Sequence, residues 1–173
     1  MKYKDLVDNV NKYFYKIEAM YFRDIEKLKE VREDLNKLSD THHLLGVVKP
    51  FLIKWGRMGR VVGRAGLSWK GLGETLRSLE KEFGRLRYKR FLTINYDEKT
   101  VRNAIRTIYR KLDPLPYLGS PTAISKVLHL FNPEIFVMWD IGIRKRYKNR
   151  NSRIRSNPEG YIEFLKETQK EIR

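Results

Sequence analysis

Apolar and aromatic residues recur at helical spacing through the first forty positions: Leu6, Val10, Tyr13, Phe14, Ile17, Met20, Tyr21, Ile25, Leu28, Val31, Leu35 and Leu38. Steps of three and four predict one long amphipathic helix, or two with a bend near residues 20–24, ending at "LSDTHH". Mixed charge on the opposite face makes this segment scaffold. In "SWKGLGETLRSLEKEFGRLR" a capping serine, Ser68, precedes Leu72, Leu76, Leu79, Phe83 and Leu86 on one side, which predicts a helix in spite of its glycines. "RFLTIN" is the one strand-like stretch, and with nothing obvious to pair with it reads equally as an extended connector. Asp97 is placed to cap "EKTVRNAIRTIYRKL", where Val101, Ile105, Ile108 and Leu112 form the buried stripe and Arg102, Arg106 and Arg110 fall on another face.

"DPLPYLGSPT" holds three prolines and reads as a rigid loop, the natural boundary between two parts of the chain. Ser120 followed by Pro121 is a helix start: a side-chain cap, then a residue whose missing N–H costs nothing in the first turn. That helix is expected to stop before Asn132-Pro133, with a turn of helix at "PEIFVM". Asp140 then opens "IGIRKRY", a basic loop "KNRNSRIRSN" follows, and "PEGYIEFLKETQKEI" forms the last helix. The expected fold class is all-α, with six to nine helices. Its 173 residues make either one compact domain or two helical lobes, about 1–112 and 113–173, with a cleft between them.

Charge changes the picture from scaffold to binding surface. Lys and Arg number 37 against 21 Asp and Glu, a formal net charge of +16. Residues 1–40 are neutral, with nine basic and nine acidic side chains, whereas residues 54–112 hold sixteen basic and five acidic. Between Arg144 and Arg155 there are seven basic residues and no acid. Such asymmetry suits a polyanion, because each phosphate neutralised releases condensed counterions. The alternative is a generally basic surface kept for solubility, which would intersperse the two signs everywhere. The expected partner is nucleic acid, DNA before RNA. Candidate contacts are Arg57, Arg60 and Arg64 in "GRMGRVVGRAG", the Arg102, Arg106 and Arg110 row, Gly119, Ser120, Arg144, Lys145, Arg150, Arg153 and Arg155. The same glycines equally permit close helix packing.

Composition also excludes. Without cysteine there are no disulfides, no thiolate catalysis and no cysteine-ligated metal. No run approaches the length of a membrane span, and the N-terminal stretch has no apolar secretory segment. The expectation is a soluble, intracellular protein, cytoplasmic or nucleoid-associated, with no cofactor and no metal; the sequence sets no oligomeric state. No acidic pair stands at metal-ligand spacing amid the basic region, which argues against a two-metal nuclease.

One stretch points to chemistry. "GSPTAISKVLHLFNPEIFVMWD" carries a single lysine, Lys126, on its serine-capped helix, an apolar connector, and Asp140 opening the next helix as Asp-x-x-Ile-x-Lys with Ile143 and Lys145. This pattern, over about residues 113–147, resembles the helix-hairpin-helix base-excision DNA glycosylases. Where that family has a glycine-rich hairpin loop, this chain has "YLGSPT" with one glycine, Gly119. The resemblance implies an all-α protein acting in DNA repair, a hydrolase that extrudes a base and cuts its N-glycosidic bond, with a possible lyase step. It implies Asp140 as the carboxylate beside the nucleotide and Lys126 as a candidate nucleophile. Glycosidic cleavage builds positive charge on the sugar that a fixed carboxylate stabilises, and an amine of lowered pKa can form a Schiff base there. Trp139 and His129 are candidate walls of a base pocket. Each residue has an ordinary reading beside the chemical one: Asp140 as a helix cap, Lys126 as a snorkelling lysine, Trp139 as core, His129 as a hydrogen-bonded residue at the core edge.

Overall fold

A computed structural model describes residues 19–40, 42–55, 58–59, 68–115, 120–150 and 156–172. Among the described residues there are nine α-helices and no strand, so the all-α expectation holds. The first three are α1 (Ala19–Glu26), α2 (Lys29–Glu33) and α3 (Lys49–Lys54), with a 3-10 turn at Leu35–Ser39 and a π-helical segment at His42–Val48 before α3. Then follow α4 (Trp69–Arg77), α5 (Glu80–Leu86), α6 (Lys99–Leu112), α7 (Pro121–Phe131), α8 (Ile141–Arg150) and α9 (Pro158–Ile172).

Leu6, Val10, Tyr13, Phe14 and Ile17 lie outside the described residues; over residues 19–40 Met20 and Tyr21 are half-buried and the chain is not one continuous helix. Ile25, Leu28, Val31, Leu35 and Leu38 are all buried, as their spacing demands. The helix breaks later than the anticipated bend, first where Leu28 N–H turns back to the Ile25 carbonyl and again at Asp34, which is extended and accepts the Asn36 N–H at 2.9 Å. A short acidic side chain that bonds its own backbone offers the chain an alternative to the helix. The same effect divides the Ser68 segment. Ser68 caps α4 through the Gly71 N–H at 3.0 Å, but Ser78 Oγ donates to the Thr75 carbonyl and Leu79 N–H pairs with Leu76, tightening the turn and separating α4 from α5. All five predicted apolar positions remain buried across the break.

α6 is the organising helix. Val101, Ile105, Ile108 and Leu112 are buried together with Ala104 and Tyr109, and the helix packs against α4, α5 and α9. Its cap differs from the expected one. Glu98 holds the N-cap position without a side-chain bond to the helix backbone, and Asp97 reaches Arg102 and Lys166 instead. "RFLTIN" is the connector rather than a strand: Phe91 N–H pairs with the Glu134 carbonyl at 2.8 Å, and Gln169 Nε2 donates to the Phe91 and Ile94 carbonyls. "PEIFVM" supplies one hydrogen-bonded turn, with Phe136 N–H on the Asn132 carbonyl, before the chain runs irregularly to Asp140. A single cluster of buried side chains extends from Ile25 to Leu165, its aromatic part formed by Phe136, Trp139, Tyr161 and Phe164.

Candidate nucleic-acid interface and the Lys126–Asp140 pair

α7 begins as its sequence requires, with Ser120 Oγ accepting the Ala123 N–H at 3.1 Å and Pro121 in the first turn. Two further hydroxyls on this helix position the start of α8. Ser125 Oγ accepts the Trp139 N–H at 2.9 Å and donates to the Thr122 carbonyl, while Thr122 Oγ1 donates to the Trp139 carbonyl at 3.1 Å. Ser125 is fully buried, and a buried hydroxyl must find partners. The backbone directly before Asp140 is thereby clamped to α7. Asp140 is exposed, its Oδ1 accepts the Ile143 N–H at 2.9 Å and its carbonyl accepts the Arg144 N–H at 2.9 Å. It caps α8. Lys126 is half-buried and lies four residues beyond Thr122, hence about 40° around α7 from it, on the side that carries the clamp. Five hollows among the described residues are each lined by side chains other than Lys126 and Asp140.

Trp139 cannot serve as the wall of an open base pocket. Its ring is fully buried, stacked on Phe164 at 5.5 Å and 14° and tilted against Tyr161, with the Arg144 guanidinium 5.8 Å from its centroid. An extruded base needs an exposed face, and the aromatic residues of α9 have taken it. His129 is likewise occupied. Its Nδ1 lies 2.6 Å from the Phe136 carbonyl, which can only accept, so Nδ1 carries the proton and Nε2 accepts the Tyr21 hydroxyl at 2.5 Å. Burial holds the ring below the ordinary histidine value, with Arg32 adding to that, against the Phe136 bond that favours protonation. Burial also pushes the Tyr21 hydroxyl up to about 12, so both partners are neutral.

The α6 arginines are drawn into ion pairs. Arg106 grips Glu159 of α9 with Nε at 2.7 Å and a second nitrogen at 2.8 Å. Arg102 bonds Asp97 at 3.1 Å and reaches Glu159 at 3.4 Å, and Lys166 joins Asp97 at 2.8 Å. The Arg106 hydrogen bond outweighs a burial penalty and holds the Glu159 carboxyl below its ordinary value; the Lys166 bond does the same for Asp97. Two of the three supposed phosphate contacts are thus neutralised by carboxylates from outside α6, and only Arg110 of the row is exposed. α8 differs. Lys145 and Arg146 are exposed and, among the described residues, have no carboxylate partner, while Arg144 is half-buried and donates to Ser156. Arg57, Arg60, Arg64, Gly119, Arg153 and Arg155 lie outside the described residues, as does the side chain of Arg150.

Among the described residues no cluster of His, Asp and Glu could hold a metal ion, and no helix is long and apolar enough to cross a membrane. No family model matches the chain, and neither a curated protein nor a solved structure matches it.

Proposed function

We propose that this protein binds nucleic acid, duplex DNA before RNA, through the exposed side of α8 and the basic segment that follows it. The observation that carries this reading is that Lys145 and Arg146 have no carboxylate partner among the described residues, in a stretch of seven basic residues that contains no acid between Ile141 and Pro158. Ammonium and guanidinium groups that have no carboxylate to neutralise them are available to phosphates, and their counterions are released on contact. The exposed Ser120 end of α7 lies in the same two-helix unit. Fluorescence anisotropy with a labelled duplex tests the proposal: the logarithm of the binding constant should fall linearly with the logarithm of salt, with a slope of about −4 for four or five phosphates contacted. A response flat in salt removes nucleic acid as the partner.

A catalytic reading, base excision of the glycosylase type, is favoured by the clamp on Trp139. Thr122 and Ser125 hold the backbone before Asp140, so the carboxylate is both exposed and rigidly placed at the start of a basic helix, as stabilisation of a positively charged sugar requires. Lys126, on the same side of α7, is the candidate nucleophile. Duplexes containing uracil, oxidised guanine or an abasic site, incubated with the protein and then borohydride, give a covalent adduct that Lys126→Ala abolishes if this reading holds. Neither base release nor trapping across that panel leaves Asp140 as a cap alone.

A further inference from the structure

The ends of three helices meet on a different part of the surface. α2 finishes at Glu33, α5 at Leu86 and α7 at Phe131. Asn132 joins two of these ends: it is buried, its Nδ2 donates to the Leu86 carbonyl at 2.8 Å, and its Oδ1 accepts the Glu134 N–H at 3.1 Å. Around it open adjoining hollows of about 240 Å³ and about 590 Å³ that share Arg87, Tyr88 and Glu134. Together they have the size of a small-molecule site, about 300–1,000 Å³. Five basic side chains face three acidic ones along them.

Two guanidinium groups form the polar floor. Arg32 is half-buried and, among the described residues, makes no side-chain hydrogen bond or ion pair, although Glu26, Glu33 and Glu134 are near enough to be felt electrostatically. Arg87 is held in place by Glu80, whose other oxygen accepts the Leu35 N–H at 2.9 Å. The carboxyl ends of the helices stabilise these cations where they stand, yet they leave the Arg32 donors unmet. At the rim, Tyr88 is 86% exposed, the most exposed of the large apolar and aromatic side chains among the described residues. An aromatic ring held in water beside two arginines has the parts of a nucleotide site: a stacking face for a base and forked donors for a phosphate. Glu134 and its neighbours offer acceptors for an exocyclic amine or a ribose hydroxyl.

We propose that this hollow binds one nucleoside monophosphate unit, its phosphate on Arg32 and its base against Tyr88, with Arg87, paired to Glu80, shaping the floor. The unit is either a free nucleotide or one residue of a single strand. The site is independent of the α8 surface and does not rest on the reading given for it.

Isothermal titration of the full chain at low salt with a nucleoside 5′-monophosphate, the matching nucleoside and a short single-stranded oligonucleotide tests the assignment. The monophosphate should bind and the nucleoside should bind more weakly. Arg32→Gln should lower monophosphate affinity about tenfold, and Tyr88→Ala about fivefold, while Lys145→Ala with Arg146→Ala leaves it unchanged. An oligonucleotide that competes with the monophosphate identifies a strand as the source; one that binds without competing identifies the free nucleotide. Because Tyr88 is exposed, its variant reports even if Arg32→Gln fails to fold. Absence of monophosphate binding, or binding that Tyr88→Ala does not weaken, overturns the site whether or not oligonucleotide binds at α8.

Discussion

α6 and α8 both carry rows of basic side chains, and the two rows end in opposite electrostatic states. On α6 the arginines are drawn against α9, where Glu159 takes Arg106 in a two-pronged grip and Asp97 links Arg102 with Lys166. On α8, Lys145 and Arg146 stand in solvent with no carboxylate partner among the described residues. A row of arginines at helical spacing is therefore not in itself a binding surface. What decides its use is whether the fold delivers acids to it: Asp97 is a neighbour in sequence, but Glu159, which takes Arg106, lies fifty-three positions further along the chain. The paired row contributes to holding two helices together, and the α8 row is the one proposed to meet an external anion.

The comparison is broken most directly at α8. Reversing charge with Lys145→Glu and Arg146→Glu should lower duplex affinity by about a hundredfold and reduce the salt slope by about two, with the thermal midpoint within about 2 °C of the parent because neither side chain packs. Unchanged affinity in anisotropy would mean that the α8 row has no partner of this kind. A smaller effect is expected at α6. Arg106→Ala should cost about 1 kcal/mol in urea unfolding, the upper end for a partly exposed pair with good geometry, and leave duplex affinity where it was. A loss of affinity without a loss of stability would reassign α6 to the binding face.

Acid sharpens the same contrast. Glu159 and Asp97 sit below their ordinary values in the folded chain, so their ionised forms contribute stability that is complete above the unfolded carboxylate range, about pH 4. That contribution is lost as pH falls through the folded values. The penalty of Arg106→Ala should accordingly shrink on acidification, as measured by unfolding at pH 7 and near pH 3; a penalty independent of pH would show that Arg106 acts through packing. His129 gives the smallest signal. Its folded value is lowered, so the unfolded chain binds the extra proton first, and stability that is complete above about pH 6.5 declines as pH falls towards the folded value. His129→Gln should flatten the thermal midpoint between about pH 7 and pH 5 relative to the parent, and equal slopes would reject the neutral, doubly bonded ring.

The local signals that were legible were those settled within a few residues. Ser68 and Ser120 cap the helices they precede, the Val101, Ile105, Ile108 and Leu112 stripe is buried, and the last helix runs over the stretch its pattern marks. Errors came where a short polar side chain competed with the helix, at Asp34 and Ser78, or where a partner was distant. Trp139 reads as a candidate pocket wall because it adjoins Asp140, and only the packing of α9 shows its ring enclosed by Tyr161 and Phe164. The clamp residues Thr122 and Ser125 have a fainter signal in the sequence: hydroxyls on an otherwise apolar helix must be bonded to something.

Periodicity, caps and composition determined by themselves that this chain is helical, which side of each helix is buried, and that positive charge is concentrated in two blocks. These are properties of neighbours three and four apart, or of simple counts. The tertiary structure decided which charges are spent internally, which aromatic ring is enclosed, and that Arg32, Arg87 and Tyr88 gather at the ends of α2, α5 and α7. The physical reason is that electrostatic and packing energies depend on distance in space, and only the folded chain brings Glu159 to Arg106 or Arg32 beside Arg87.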